Sequence, residues 1–317
     1  MNTQKAKLTP FQKFFRIESL SGALLFGSTI LALLLANSPW GEQFLNIWQY
    51  KAGVTAPGFE LIKPLILWIN DGLMAIFFFL IGLEIKRELL IGELNSVKKA
   101  SFPLFAALGG MIFPVVFYLC LNQNPETSGG WGIPMATDIA FSLAILRLLG
   151  NRVPIGLKVF LTAFAIVDDL GAVLVIAIFY SESIKWGLMV LALLILAALF
   201  LLSRYGFYSR VIVMAAGGII WYLFLKAGIH PTIAGVLLAL TVPIRRRIRV
   251  QSYVEKLKEI VANIEYCGER NTPLLTHKQI EGIDSLESWT DQVQSPLQLL
   301  EHKLHNWVAF LIMPLFA

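Results

Sequence analysis

Apolar runs about 20 residues long recur along the chain between shorter polar segments, and about 20 helical residues at about 1.5 Å each cross the roughly 30 Å of a bilayer's hydrocarbon. Eight runs qualify, over 19–37, 61–83, 101–121, 132–150, 159–180, 186–203, 211–225 and 228–244. A ninth starts near Asn306 and reaches Ala317 after twelve residues, too few to cross. The pattern predicts an all-α polytopic membrane protein. Its parts are a cytoplasmic tail over 1–18, an eight-helix region over 19–244, a cytoplasmic loop over 245–295 and the start of a ninth, truncated helix over 296–317.

The loops fix the orientation, because cytoplasmic loops collect Lys and Arg. With the N-terminus inside, 22 of the 26 basic residues fall on the inner side, and only Lys51, Lys63, Lys185 and Lys226 lie outside. A missed or invented span would scramble that alternation. No small-residue cleavage pattern follows the first run, so no signal peptide is expected and the chain reads as integral to an inner or plasma membrane.

Composition agrees: 56% hydrophobic and 15% charged residues with a mean hydropathy of +0.68 exclude a soluble globular domain. A net charge of +5 could point to nucleic acid, but the basic residues sit where topology needs them. The run Arg245-Arg246-Arg247-Ile248-Arg249 is read as a topology anchor at the inner leaflet, so lipid and not nucleic acid is the expected partner. Cys120 and Cys267 fall on opposite faces, so no disulfide is expected.

Within the polar segment after the eighth span, Val254, Leu257, Ile260, Val261 and Ile264 stand at helical spacing, predicting a short amphipathic helix over 253–266, lying on the inner leaflet. Ser295-Pro296-Leu297-Gln298 then carries the marks of a helix start: a Ser cap, Pro at the first position and Gln three after the cap. Helix is predicted from Pro296 through His305 into the ninth run.

Ionisable residues inside apolar spans are costly, about 2.5–3.5 kcal/mol each at mid-membrane even on the lenient insertion scale, and therefore informative. The fifth span holds two in succession, Asp168 and Asp169, about ten residues or about 15 Å from its start and so near the midplane. Adjacent helical residues point about 100° apart, so the two carboxylates can border one aqueous cavity without facing one partner equally. Such a pair holds either protons or a cation, and the two states exclude each other. A purely structural account would pair both acids with bases on neighbouring helices, yet no Lys or Arg lies deep in any span.

In the fourth span Pro134 frees a backbone carbonyl, a break tolerated in hydrocarbon only where protein or a cavity surrounds it. Thr137 and Asp138 follow it, a neutral oxygen and a carboxylate at a half-helix start. The bland alternative is a packing kink capped by Asp138. At the inner end of the second span Glu84, Arg87 and Glu88 share a helix face, and Glu301, His302 and His305 form a similar group before the ninth. Each is either an interfacial charge cluster or, with its histidines, a sensor of pH between about 5 and 8. The His pair at i, i+3 is weak evidence for zinc. His230 and Asp71 lie toward the outside, where a water-lined vestibule accounts for them.

Five blocks in order then resemble the NhaA family of sodium/proton antiporters: FFFLIGLEIKREL at 77–89, ATDIAFSL at 136–143, AIVDDLGA at 165–172, GIHPTIAGV at 228–236 and LEHKLHNWVAFLIMPLFA at 300–317. The resemblance spans nearly the whole chain. It implies an inverted-repeat fold with discontinuous helices in a bacterial inner membrane. It also implies electrogenic, pH-regulated exchange of intracellular Na⁺ or Li⁺ for external H⁺, in sodium and pH homeostasis. On it, Asp168 and Asp169 are the cation and proton carboxylates, with Asp169 the more direct sodium ligand, and Thr137 and Asp138 belong to the unwound part of the fourth helix. Glu84, Arg87, Glu88, Glu301, His302 and His305 form the pH-responsive inner funnel, His230 is the outer histidine, and 43–60 is the outer hairpin of a homodimer. The ions are cargo, and no cofactor or enzymatic activity is implied.

Two departures stand out. The inner loop over 245–300 is longer than the family's, and the family continues through three further helices, with a second discontinuous helix and a membrane-embedded lysine that pairs with the first Asp. The expectation is therefore a chain lacking those last helices. Two competing readings are a non-transporting truncated member and an intramembrane aspartyl protease, whose two acids, however, come from separate helices.

Overall fold

The computed structural model describes residues 10–56, 59–92, 94–135, 142, 146, 149, 152–179, 184–246, 248–266 and 276–317. Helix α1, Pro10–Ala36, meets α2, Gly41–Trp48, at a bend of 118°. Strands β1, Lys51–Ala56, and β2, Phe59–Pro64, form an antiparallel hairpin in which Val54 faces Leu61. Helix α3 runs over Leu65–Leu90 with a π-helical stretch at Trp68–Leu73, followed by α4, Val97–Leu121, and a 3-10 segment, Gly129–Met135. Then come α5, Ile155–Phe179; α6, Trp186–Arg204; α7, Arg210–Ala227; and the short α8, Thr232–Thr241. After α8, α9, Val250–Tyr266, and α10, His277–Val293, precede α11, Pro296–Trp307, which continues through a π-helical turn at Val308–Ile312 to Met313–Phe316.

Among the described residues four helices are long and apolar enough to cross a membrane, α3, α4, α6 and α7, and α1 with α2 makes a fifth if the bent pair is one span. Helix α5, at 25 residues, has the same reach as α4. Much of the fourth span, Thr137 and Asp138 included, lies outside the described residues, as does Cys267. Pro134 does fall in non-α backbone, within the 3-10 segment.

Lipid tails are as apolar as Leu, so helices in a bilayer associate through close packing of small residues rather than by withdrawing from water. Helices α3 and α8 do this: a Cβ at Gly82 would stand 2.7 Å from the Ala239 Cβ, and one at Gly235 would meet the Ala75 carbonyl and stand 2.9 Å from the Phe79 amide nitrogen. Helix α3 thereby becomes the centre of the molecule. One side packs with α6, α7, α8 and the start of α11 through Phe79, Leu83, Val236, Leu297 and Leu300. The other packs with α5 through Ile81, Ile85, Ala163 and Ile166.

The hairpin implied by the resemblance over 43–60 is a β-hairpin at Lys51–Pro64, so its second strand takes the first residues of the expected second span, and it is pinned to α3 where the Trp68 indole donates to the Ala52 carbonyl at 2.8 Å. The amphipathic helix expected over 253–266 is α9, and it forms half of a helical pair, its Tyr253 hydroxyl 2.9 Å from the Thr290 hydroxyl of α10. Helix α10 is the missed element. Its start carries a capping box, the Thr276 hydroxyl accepting from the Gln279 amide while the Gln279 side chain accepts from the Thr276 amide. An ion pair of 3.0 Å from Arg210 to Asp291 fastens the pair to the start of α7.

Candidate cation site and inner charged cluster

Asp168 and Asp169 lie in the middle of α5, in the sequence Ala165-Ile166-Val167-Asp168-Asp169. Ala165 and Ile166 are buried, and Val167 packs against both the core shared with α3 and the one formed by Ala107, Met111 and Met135. Asp168 is 2% exposed, among the most deeply buried side chains described, while Asp169 is half-buried with one carboxylate oxygen enclosed. Two carboxylates at these depths differ in access to water, and their oxygens are hard donors suited to a small alkali cation or a proton. Gly171, one residue beyond Leu170, admits the Met111 thioether against the α5 backbone, which brings α4 close to the acids.

At the C-terminal end of α3, two clusters that are far apart in sequence come together. Arg87 donates to Glu301 on α11 and, at 3.1 Å, to its neighbour Glu88. Glu84 feels the charges of Glu301, Arg87 and Glu88, and His302 acts on Glu301. Burial holds the Glu301 carboxyl, which precedes the ninth span, above the usual carboxylate range, and the Arg87 guanidinium offsets this only in part. Three carboxylates therefore share one guanidinium. His305, a turn beyond Glu301, is partly buried, and His302 is exposed.

His230 is not part of this cluster. It lies just before the N-terminal end of α8, its Nδ1 2.8 Å from the Thr232 hydroxyl, in the field of Asp71 and Lys63. Asp71, read from sequence as lining a wet vestibule, is instead 8% exposed and paired with Lys63 of β2 at 2.6 Å. The Trp221 indole donates to its backbone carbonyl at 2.7 Å, and the Trp68 and Trp221 rings stack with centroids 6.1 Å apart. The π-helical stretch at Trp68–Leu73 puts Asp71 in reach of both groups.

Lys86, one of the 22 basic residues that the sequence places on the inner side, has no site role in the sequence reading. Its ammonium donates to the carbonyls of Leu240, at 2.7 Å, and Val242, at 2.5 Å, at the end of α8. The only sequence signal was its place beside Arg87, since its partners lie more than 150 positions away.

A family model described as Na+/H+ antiporter 1 matches residues 12–317. Among curated relatives, a Na(+)/H(+) antiporter NhaA of Oleidesulfovibrio alaskensis is 47% identical over 311 residues, covering 98% of this chain and 69% of the relative. Na(+)/H(+) antiporter NhaA 1 of Saccharophagus degradans is 42% identical, over 98% of this chain and 67% of its own length. Na(+)/H(+) antiporter NhaA of Bacteroides fragilis is 44% identical, with 98% and 72% covered.

Proposed function

This chain belongs to the Na+/H+ antiporter 1 family, and from that premise we propose that it is a secondary transporter, not an enzyme, exchanging Na⁺ for H⁺ across a membrane. The observation that carries the reading is the deeply buried Asp168 beside Asp169 at the centre of an apolar 25-residue helix. A carboxylate removed from water is stable only when protonated or cation-bound. Proton and Na⁺ thus compete for one pair of acids, and alternating exposure of that pair to the two sides makes the competition into exchange. Asp169, with the greater water access, is the more direct cation ligand, and Asp168 carries the proton. Thr137 and Asp138 are assigned to the same site on the family resemblance alone.

Lysine and arginine placement supports an inner-membrane protein with a cytoplasmic N-terminus, carrying Na⁺ or Li⁺ outward and protons inward. The inner cluster of Glu84, Arg87, Glu88, Glu301, His302 and His305 is the inner mouth of that route and the seat of its pH response. His230 is assigned to the outer side. The exposed Val54 and Ile62 of the outer β-hairpin support a homodimer formed through that hairpin. An aspartyl protease would need acids presented from separate helices, whereas these two stand on one.

The test is Na⁺-dependent proton movement in everted vesicles that lack antiporters of their own, with the chain beside Asp168→Asn and Asp169→Asn. Exchange by the parent and none by either variant, at equal amounts in the membrane, is expected. Undiminished exchange by a variant would remove that acid from the site.

A further inference from the structure

We propose that Lys86 is a positioning residue that sets where Glu301 meets Arg87. Neighbouring helical residues point about 100° apart, so Lys86 and Arg87 reach two different elements from one point on α3. Arg87 holds Glu301 of α11. Lys86 holds the end of α8, through the carbonyls of Leu240 and Val242. Those two elements are themselves joined, because the Leu297 amide donates to the Pro243 carbonyl at 3.3 Å. The links close a ring: Lys86 to Val242, Pro243 to Leu297, one helical turn to Glu301, and back to Arg87.

The ring is tight where it could give. Val242 and Leu297 are fully enclosed in the same core, and Ser295 and Pro296 are buried at the start of α11. The Ser295 hydroxyl accepts from the Gln298 amide at 3.1 Å, which fixes the first turn of α11. Among the described residues Lys86 is the charged contact holding the α8 end to α3 in this ring, and it sits where the partial negative charge of a helix C-terminus favours an ammonium. Without it two carbonyls lose their donor, the 242–243 segment relaxes, and α11 follows through Leu297.

This inference rests on the reading of the inner cluster as the mouth of the transport route. Spin labels at Leu90 and Lys303, both exposed, report the distance between α3 and α11 in a Cys120→Ser/Cys267→Ser background. In Lys86→Met the distance distribution shifts and broadens, and the half-saturating Na⁺ for exchange rises about three- to tenfold, the scale of one net hydrogen bond. Lys86→Arg restores both, and Lys86→Gln, a donor without charge, restores them in part. An unchanged distance in Lys86→Met overturns the proposal, as does a changed distance with unchanged Na⁺ dependence. A Lys86→Gln variant as defective as Lys86→Met also overturns it, since a mere interfacial charge would behave so. Should Lys86→Met fail to reach the membrane, Lys86→Gln against Lys86→Arg decides. A parent chain that exchanges no Na⁺ refutes the transport reading, while the distances still decide the placement.

Discussion

Arg87 donates to Glu301 across 214 positions of sequence, and the bond ties the C-terminal end of α3 to α11. The pair has one partner half-exposed and one largely covered, with side chains 36% and 15% exposed. Solvent screens the first, so Arg87→Met should cost about 1–2 kcal/mol, most of it from leaving Glu301 covered and unpaired. Thermal melts of purified protein measure this. A variant as stable as the parent would show the pair to be energetically idle.

The same carboxyl gives a pH dependence with a definite sign. Because the folded chain holds Glu301 above its ordinary value, the native state keeps a proton that the unfolded chain releases first. The stabilisation is complete below the ordinary glutamate range and declines as pH rises through the elevated folded value. Melts of the parent and Glu301→Gln from about pH 4.5 to pH 8 should therefore show the parent losing ground to the variant as pH rises. A parent that gains on the variant with rising pH would contradict the assignment.

At the opposite end of α3, Lys63 and Asp71 form a mostly buried pair, their side chains 21% and 12% exposed. Removing only the amine leaves a mostly buried carboxylate without its ion-pair partner. Lys63→Met is expected to destabilise by about 2–3 kcal/mol, and Lys63→Met with Asp71→Asn to recover much of that. A double variant no better than the single would mean that the charge pairing is not what holds the hairpin to α3.

The helical membrane class was legible because bilayer thickness sets the length of apolar helices without reference to tertiary contacts. Asp168 and Asp169 stood out for the same reason: two acids in an apolar run have no bland explanation there. The partners were not legible. Arg87 with Glu301 and Lys86 with Leu240 and Val242 are set by how helices pack, and no local spacing encodes a contact more than 150 positions away. Lys63 and Asp71 are only eight positions apart, but their meeting depends on the turn from strand β2 into the π-helical stretch of α3. The β-hairpin and α10 are a different case, since each had a local sign. Pro57-Gly58 between alternating residues marks a turn, and Thr276 with Gln279 spells a capping box.

That capping box offers a fourth prediction. Thr276→Ala leaves the first turn of α10 with an unsatisfied amide and should cost about 1 kcal/mol locally. The effect should appear as faster proteolysis within α9 and α10 at unchanged melting of the membrane core. Equal cleavage rates in parent and variant would show that packing against Tyr253 and Arg210, not the cap, maintains the pair.

Two glycines give opposite expectations from the same substitution. Gly218, in the middle of α7, has open space where a Cβ would stand, so Gly218→Ala removes chain entropy at no steric cost and should stabilise by about 0.5–1 kcal/mol. Gly235 has the Ala75 carbonyl and the Phe79 amide there, both backbone atoms of α3 that no rotamer change can move. Gly235→Ala must push α8 off α3, costing about 1–3 kcal/mol. The displacement carries further than the energy, because the end of α8 holds Lys86 and, through Pro243, the start of α11. Gly235→Ala should therefore disturb the distance between Leu90 and Lys303 while Gly218→Ala leaves it alone. If Gly235→Ala melts like the parent with that distance unchanged, the close contact of α3 and α8 is not what positions the inner cluster.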